Sequence, residues 1–328
     1  MVEKTRWGIL GPGGIARRFA EGVQAVEDAE LSAVASRSEE KANAFADQFG
    51  IPRRHVGYDN LLRDEEVDVI YIATPHVFHM EQTLHCMEAG KPVLCEKPFA
   101  INVAQTQAMI DKANETDLFL MEAMWTHFFP SMAKVRGLVS EGAVGEGRQV
   151  KADFCFRGGW DPEGRHLNPV LGGGGLLDVG VYCVAFAQMV FGTEPAAVTG
   201  FADIVETGVD GQAAMVLSFD DGAFASLTCG VRTSSTHEAY VFGTDGYIKV
   251  PHSFWCSDRL VLVRNNEEEE FVFETLGNGF GYEAIEVGRC LAEGRRESPI
   301  MPLKKTMAIQ RTMDRLRSKW GLWYPMEA

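Results

Sequence analysis

The sequence predicts an α/β protein of two domains. The N-terminal domain is expected to contain a parallel sheet, and the C-terminal α/β domain a large, mainly antiparallel open sheet. The 328 residues exceed the usual size of a single core. The first third alternates short apolar strands with helical stretches, as βαβ units do. After about residue 125, hairpin signals join the strand-like runs instead of helices.

The N-terminal elements follow the order strand, helix, strand. The runs WGILG, LSAVAS, VDVIYIAT and PVLCEKP predict strands, and helices are predicted to begin at Ile15, Glu39 and Phe78. Strands covered on both faces read as short continuous apolar runs, as these do. We therefore assign residues 1–124 to the first domain and residues 125–328 to the second.

The C-terminal part contains hairpin patterns. AAMVLSF and AFASLTC flank Asp-Asp-Gly at 220–222, and AYVFG and YIKVP flank Thr-Asp-Gly at 244–246, both with the residues of tight turns. RLVLV and EFVFE follow, and the acidic run Glu267–Glu270 predicts a solvent-exposed hairpin edge. Residues Lys304–Trp320 have the spacing of an amphipathic helix.

The composition is that of an ordinary globular protein. With 46% hydrophobic and 23% charged residues, it excludes disordered, collagen-like and disulfide-rich classes. The net charge of -15 repels polyanions, so nucleic acid is not expected as a partner. The seven scattered cysteines are expected to be reduced. We find no run of about 18 apolar residues and no signal-peptide pattern, so we expect a cytoplasmic protein without membrane contact.

A glycine motif follows the first strand. GPGGIA at 11–16 fits G-x-G-x-x-A and opens a helix. Gly11 permits the tight turn, Gly13 lets the backbone approach a pyrophosphate, and Ala16 allows close packing of helix and strand. A plain strand-to-helix turn is the alternative, but the βαβ unit continues correctly through LSAVAS. The motif therefore predicts a dinucleotide-binding Rossmann domain.

The residues after the second strand bear on the choice of cofactor. An NAD-binding unit carries an acidic residue about 20 positions past the glycines, whereas this chain has Ser36, Arg37 and Ser38 there. An arginine flanked by hydroxyls can pair with a 2'-phosphate and lie against adenine. Arg37 as a solvated surface cation is the alternative. We expect NADP, with NAD less favoured.

Two further fragments carry reactive side chains. Lys97 ends the strand VLCEK. Ligands bind at the carboxyl edge of a parallel sheet, so Lys97 is well placed for catalysis. The alternative is an exposed Glu-Lys pair without a catalytic role.

Asp178 and Tyr182 follow a glycine-rich loop and lie four residues apart, so they share one helix face. They can position a substrate hydroxyl and move its proton. A flexible loop before a packed helix is the alternative.

His76 and His79 form an H-x-x-H pair, which raises the question of a metal. No H-E-x-x-H and no third ligand at a recognisable spacing accompany them. The pair follows the strand VDVIYIAT, where it is expected to line a nucleotide crevice. We therefore predict no metal site.

In this order, GPGGIA, ATPHVFH, AGKPVLCEKPFA, MEAMWTHFFP and GGGGLLDVGVYCV closely resemble the glucose-fructose oxidoreductase, inositol dehydrogenase and MocA (Gfo/Idh/MocA) family over essentially the whole chain. The runs EAIEVGRCL, ESPIMP and WGLWYPME look most like the branch of dimeric dihydrodiol dehydrogenases and NADP-dependent D-xylose dehydrogenases. The resemblance implies a Rossmann domain followed by an α/β domain whose open sheet often forms a dimer face. A homodimer is therefore expected.

The resemblance also implies roles for single residues. The family's EKP lysine is catalytic, which corresponds to Lys97, and a cis peptide commonly precedes the matching Pro98. The family's D-x-x-x-H helix corresponds to Asp178 and Tyr182, with tyrosine in place of the proton-transferring histidine of many sugar dehydrogenases. This tyrosine is the variant of the dihydrodiol and xylose dehydrogenase branch.

Trp125 matches a residue that borders the nicotinamide pocket in relatives, and Arg157 is expected to contact substrate, although Cys155 stands where close relatives are expected to have glycine. The residues expected to bind substrate are Lys97, Trp125, Arg157, Asp178 and Tyr182. Those expected to bind the cofactor are Gly11, Gly13, Gly14, Ile15, Ala16, Ser36, Arg37, Thr74, Pro75, His76, His79, Glu96, Lys97 and Trp125.

The leading hypothesis is an NADP-dependent oxidoreductase that transfers hydride between the nicotinamide and a carbinol carbon of a sugar or cyclic diol. It would be of the aldose 1-dehydrogenase or trans-dihydrodiol dehydrogenase type. The alternative is an NAD(P)-binding regulator or sensor of the same fold without turnover, because a fold does not establish a function. Retention of Lys97, Asp178 and Tyr182 favours the enzyme.

Overall fold

The computed structural model describes residues 4–327, which group into two compact units. The first unit contains residues 4–100, 104–128 and 275–306, and the second contains residues 101–103, 129–274 and 307–327. The division of the chain into domains at residues 124 and 125 stays a prediction from the sequence pattern.

Strands and helices alternate along the first unit. Its strands are β1 (Thr5–Leu10), β2 (Ala29–Ser36), β3 (Arg53–Val56), β4 (Val69–Ile72), β5 (Val93–Glu96) and β6 (Leu120–Ala123). The helices of the chain are α1 (Gly14–Gln24), α2 (Glu39–Phe49), α3 (Tyr58–Leu62), α4 (His79–Glu88), α5 (Val103–Thr116), α6 (Pro130–Ser140), α7 (Val181–Phe191), α8 (Gly281–Ala292) and α9 (Leu303–Trp320).

The six strands of the first unit form one parallel sheet in the order β3-β2-β1-β4-β5-β6. The predicted parallel sheet is therefore confirmed. Helix α2 begins at Glu39 as predicted, since Ser38 caps it by accepting a hydrogen bond from the Lys41 amide. The helix predicted from Phe78 begins instead at His79, after a 3-10 turn over His76–Phe78.

The second sheet has eight strands in the order β14-β13-β12-β11-β7-β10-β9-β8. They are β7 (Gly147–Cys155), β8 (Ala197–Ile204), β9 (Asp210–Ser218), β10 (Phe224–Gly230), β11 (Ala239–Gly243), β12 (Gly246–Val250), β13 (Arg259–Arg264) and β14 (Glu267–Val272). All neighbouring pairs are antiparallel except β7 and β10, so the predicted mainly antiparallel sheet is confirmed.

One face of this sheet is covered and the other is exposed. Along β9 and β10, side chains alternate between buried and exposed positions, as on a half-covered antiparallel sheet. The exposed side chains include Phe201, which is 87% exposed, together with Val216 and Phe224. β14 is an edge strand, and its four glutamates, Glu267–Glu270, are all exposed, as predicted.

Contrary to the expectation from sequence, one segment, Pro169–Phe191, is long and apolar enough to cross a membrane. Within the second unit, however, 89% of its most apolar window is buried. A helix that is apolar on all sides is typical of the core of a globular unit when protein covers it. The segment is therefore weak evidence for a membrane span.

Candidate active site

A glycine turn leads from β1 to α1. Gly11 has a φ of +91°, and a Cβ at this position would lie 2.6 Å from Thr74 Cγ2. The Gly13 amide donates a 2.8 Å hydrogen bond back to the Gly11 carbonyl. A side chain at position 11 would therefore meet both backbone strain and a clash.

The first turn of α1 is open to an anion. Gly13 is the N-cap residue and offers no side-chain cap, and no atom lies within 4 Å of a Cβ built at Gly14. The first amides of a helix have no intrahelical acceptor, and they carry the positive end of the helix dipole. Ala16 is fully buried, as close packing of α1 requires. This turn fits a pyrophosphate group.

A cleft of about 380 Å³ lies beside this turn. Six of the residues predicted to bind the cofactor line it: Gly11, Gly13, Ser36, Arg37, Thr74 and Pro75. Ser38, whose hydroxyl was expected beside a 2'-phosphate, also lines it, and the remaining lining residues, which the sequence reasoning did not assign to the cofactor, are Pro12, Lys41, Tyr58, Ala73, Phe78 and Gln82. The structure therefore brings the ends of β1, β2 and β4 to one crevice.

Two cations and no carboxylate line the described cleft. Arg37 and Lys41 are exposed and lie four residues apart at the start of α2. Ser36 Oγ accepts from the Ser38 amide at 3.1 Å, and Ser38 Oγ accepts from the Lys41 amide at 3.3 Å. Each hydroxyl hydrogen stays available to a phosphate oxygen, because these bonds use only the oxygen. The set fits a 2'-phosphate.

His79 has a structural position. It is buried, and its Nδ1 lies 3.0 Å from the Pro98 carbonyl oxygen, while its Nε2 lies 2.9 Å from the Thr74 carbonyl oxygen. Burial lowers its pKa to about 4, so the ring is neutral. Neither His76 nor His79 lines the cleft. Among residues 4–327, no group of three or more His, Cys, Asp or Glu side chains is arranged to hold a metal.

The end of β5 carries Glu96 and Lys97. The buried Glu96 carboxylate accepts a 2.5 Å hydrogen bond from the Tyr71 hydroxyl and a 3.0 Å bond from the Lys97 amide. Lys97 is half-buried, and the peptide bond before Pro98 is cis, as the resemblance implied. These bonds fix the backbone that presents Lys97.

Two more carboxyl groups are buried in the first unit. Glu122 lies on β6 and Glu283 on α8, and both are almost fully inaccessible. Burial raises the pKa of Glu122 to about 7. Burial, together with the charge of Glu96, raises the pKa of Glu283 well above its usual value. Neither oxygen of Glu283 has a hydrogen-bond partner in the described structure, so its neutral form is favoured.

Trp125 is buried and stacks on Phe280, with ring centroids 4.2 Å apart. The sequence reasoning did not identify Phe280, because it lies 155 positions along the chain from Trp125 and no local motif marks it. The Arg18 guanidinium lies 5.8 Å from the Phe280 ring centroid. The result is a buried, stacked aromatic pair with a cation beside it.

In the second unit, Asp178 lies within a π-helical turn, Leu176–Gly180, that leads directly into α7. Asp178 and Tyr182 are both buried. Arg165 Nη1 lies 3.1 Å from one carboxylate oxygen of Asp178, and His166 Nε2 lies 3.8 Å from the other. The π-turn was not predicted, although such turns are frequent at functional sites.

An aromatic group surrounds Tyr182. Phe154 and Trp255 stack with centroids 3.5 Å apart and planes 6° apart, and the Tyr182 ring lies 5.6 Å from Phe154 and 6.3 Å from Trp255. Phe154 and Trp255 keep part of their surface accessible. Arg157 is exposed on the loop after β7. The part of the Phe154 and Trp255 rings that stays accessible is therefore an aromatic wall beside the Tyr182 phenol.

Family models match most of the chain. The model described as the oxidoreductase family, NAD-binding Rossmann fold, matches residues 5–124, and the GFO/IDH/MocA C-terminal domain matches residues 132–249.

Several known proteins are similar over nearly the whole chain. Trans-1,2-dihydrobenzene-1,2-diol dehydrogenases from Mus musculus and Danio rerio are 36% and 37% identical, covering 98% of this chain and 98% and 99% of theirs. A 3-ketoreductase from Actinomadura kijaniata, whose crystal structure contains NADP and TDP-benzene, has 26% sequence identity to this chain. The two structures superpose with a TM-score of 0.85, over 96% of this chain and 98% of the ketoreductase chain. Aldose-aldose oxidoreductase from Caulobacter crescentus is 26% identical with a TM-score of 0.89, covering 97% and 98%.

Arg37→Ala is expected to raise the Michaelis constant for NADP and to leave that for NAD nearly unchanged. Loss of a charge-assisted phosphate contact costs on the order of 1.5 to 3 kcal/mol. The measurement is steady-state kinetics with each cofactor. Arg54→Ala is the matched control, because Arg54 pairs with Asp47 and does not line the cleft. Equal affinity of the unmodified protein for NADP and NAD would contradict the assignment.

Glu122→Gln is expected to change the pH dependence of stability. The carboxyl titrates near 4.5 when unfolded and at about 7 when folded, so the folded state holds the extra proton between these values. The contribution of Glu122 to stability is therefore lost as the pH rises through this window. The variant should gain up to about 3 kcal/mol relative to the unmodified protein between pH 4.5 and pH 7.

Urea unfolding at about pH 5 and about pH 8 measures this gain. Glu115→Gln is the control, since the Glu115 side chain is exposed. The same difference in unfolding free energy between Glu122→Gln and the unmodified protein at both pH values would show that the buried carboxyl is not protonated.

Proposed function

Because this chain belongs to the Gfo/Idh/MocA family, we propose that it is an NADP-dependent dehydrogenase of a ring-shaped sugar or a cyclic diol. The family models and the full-length relatives show that the protein is an NAD(P)-dependent oxidoreductase acting on CH–OH groups. The observation that carries the finer proposal is the Tyr182 phenol beside the stacked Phe154 and Trp255 rings.

The residues of the cleft support NADP as the cofactor. The first-turn amides of α1 would hold the pyrophosphate, and Arg37, Lys41 and the Ser38 hydroxyl would hold the 2'-phosphate. When bound, the nicotinamide supplies the hydride acceptor or donor that protein side chains lack. The absence of a carboxylate from the described cleft lining argues against a preference for the ribose hydroxyls of NAD.

The catalytic residues act on the substrate hydroxyl. In this proposal Tyr182 takes its proton during oxidation, and Lys97, which corresponds to the catalytic lysine of the family, holds the reacting oxygen. Asp178 orients the substrate, and the Arg165 charge keeps that carboxylate in place. Reduction of the corresponding carbonyl would use the same residues in reverse.

The aromatic wall favours a ring as substrate. Stacked aromatic faces pack against the flat apolar side of a pyranose or a cyclohexadiene diol, whereas an open-chain polyol offers no such face. Trp125, which stacks on Phe280, is the residue that we assign to the nicotinamide side. The names of the similar proteins, which act on a dihydrodiol and on aldoses, support both substrate types.

We further propose a cytoplasmic homodimer formed through the exposed face of the second sheet. Phe201, Val216 and Phe224 are exposed on that face, and covering their apolar surface with a second copy removes it from water. A self-complementary face produces a two-fold dimer. All seven cysteines are free thiols, which is typical of a reducing compartment.

Tyr182→Phe is expected to lower kcat by roughly two to four orders of magnitude, because the proton-transfer group is lost, while NADP affinity stays nearly unchanged. Lys97→Met should act similarly. The assay follows reduced-nicotinamide absorbance with a panel of pentoses, hexoses and trans-dihydrodiols.

Tyr247→Phe and Lys112→Met are matched controls, since both lie outside the proposed site. Turnover by Tyr182→Phe at the unmodified rate, with a deuterium isotope effect showing that chemistry is rate-limiting, would contradict the assignment. NADP binding without turnover across the panel would favour a regulatory protein.

Val216→Asp is expected to convert the dimer into a monomer, because it places a charge at the centre of an apolar contact. Light scattering at micromolar concentration measures the mass. Ile285→Asp is the control, since Ile285 is 44% exposed and Val216 40%, but Ile285 lies on α8 in the first unit. A monomeric unmodified protein would refute the proposed dimer.

A further inference from the structure

A buried arginine, Arg317, bonds to three parts of the second unit: its own helix α9, residue 101 and residue 327. Arg317 on α9 is only 1% exposed. It donates to the Ile101 carbonyl at 3.0 Å, to Asp314 Oδ1 at 2.9 Å, and to both carboxylate oxygens of Glu327 at 2.8 and 2.9 Å. Burial alone would lower the pKa of Arg317, but Glu327 and Asp314 raise it above its usual value. The guanidinium is therefore a charged, bonded anchor.

This anchor holds the segment after the Lys97-Pro98 turn. Glu327 also accepts a 2.9 Å hydrogen bond from the Asn102 side-chain amide. The Val103 amide donates to Asp314 at 2.7 Å, and Gln310 Nε2 donates to the Ile101 carbonyl at 3.3 Å. Residues 101–103 are thus fastened at three consecutive positions.

The same anchor holds the segment at residues 322–327, which we call the tail segment. Its Tyr324 amide donates to Glu327 Oε2 at 2.8 Å, and the Arg317 guanidinium lies 5.1 Å from the Tyr324 ring centroid. The buried Tyr324 hydroxyl donates a 2.7 Å hydrogen bond to the Gly173 carbonyl. The tail segment therefore contacts the glycine loop, residues 172–175, directly.

A buried carboxylate holds the loop from another side. Asp210 Oδ2 on β9 accepts a 2.6 Å hydrogen bond from the Leu176 amide, the first residue of the π-turn. Gly174 has a φ of +123°, and a Cβ there would lie 2.2 Å from Asp210 Oδ1. Burial raises the pKa of Asp210 to about 7. The loop can take this path only with glycine at 174.

The loop in turn holds the groups around Asp178. The Gly174 amide donates to the His166 carbonyl at 2.9 Å, and the Asp178 amide donates to the Gly174 carbonyl at 3.3 Å. Arg165 and His166 are also the side chains that flank the Asp178 carboxylate. A displacement of Gly173 would therefore reach Asp178 through two short backbone connections.

We propose that the tail segment, anchored through Glu327 to Arg317 of α9 and bonded through Tyr324 to Gly173, is a positioning element that holds the glycine loop and hence Asp178 in reactive geometry. Tyr324 and Arg317 are positioning residues, since they act through the loop. The proposal rests on the proposed function for its catalytic consequence, although the ordering of the loop can be measured without it. Displacement by about 1 Å is enough to cost a large part of a rate.

Tyr324→Phe tests the proposal, because it removes one hydroxyl and leaves the packed ring. Thr312→Val is the matched control: it removes a buried hydroxyl that bonds Gln188 Nε2 at the same 2.7 Å in the same unit, away from the glycine loop. Glu327→Gln is a second variant, which weakens the anchor without removing its shape. Thermal unfolding shows the loss of stability that each variant suffers.

Amide hydrogen exchange of residues 173–178 is the first measurement. We expect faster exchange in Tyr324→Phe, a smaller increase in Glu327→Gln, and none in Thr312→Val. The second measurement is kinetics well below the unfolding temperature. We expect the kcat/KM for substrate of Tyr324→Phe to fall about tenfold, with NADP affinity within about twofold of the unmodified protein.

Unchanged exchange in Tyr324→Phe, or an increase equal to that in Thr312→Val, would overturn the proposal. Faster exchange with an unchanged kcat/KM would also overturn it, since the loop would then not position the site. If the unmodified protein turns over no substrate, the proposed function is wrong. The amide exchange of residues 173–178 still tests whether the tail segment orders the glycine loop.

Discussion

The parallel direction of the first sheet is the constraint on which the nucleotide site depends. All carboxyl ends of parallel strands lie at one edge, so the residues that follow β1, β2 and β4 meet there. Gly11, Arg37 and Thr74 come from these three ends and line one crevice. The chain supplies them from positions far apart in sequence, and the sheet alone brings them together.

Much of this arrangement could be predicted because its signals are local. Gly11 must adopt a left-handed φ beside Thr74, and such a requirement marks the sequence with glycine. The predicted strands were short apolar runs, and the structure has a strand at each of these runs, with every residue of β4, β5 and β6 buried. Resemblance to a family added the cis bond before Pro98, which no pattern of spacing could have indicated.

Other parts left no local mark. Lys41 lines the cleft from the first turn of α2, and the sequence analysis did not assign it to the cofactor. Phe280 joins Trp125 only through long-range packing. Residues Lys304–Trp320 were predicted as an amphipathic helix, yet the pattern does not show that Arg317 on that helix would be buried and bonded to Ile101. Such contacts depend on tertiary structure, which periodicity does not encode.

Two buried ionisable groups, Arg317 and Glu283, differ in how their burial is compensated. The terminal nitrogens of Arg317 pair with Glu327 and Asp314, which stabilises its charge, whereas neither oxygen of Glu283 has a hydrogen-bond partner in the described structure, so the neutral form of Glu283 is favoured. The paired group orders three segments around it. Glu283 makes the stability of the first unit fall as the pH rises, because ionisation would leave a buried carboxylate without water or a hydrogen-bond donor.

The acidic edge of the second sheet has a consequence for solubility. An open sheet of eight strands ends in unpaired backbone groups, and a free edge is a template on which other chains add strands. On β14 the four consecutive glutamates, Glu267–Glu270, project exposed carboxylates from that edge. A second copy approaching edge to edge would bring like charges together at strand spacing. Growth into a continuous fibrillar sheet is therefore opposed at β14.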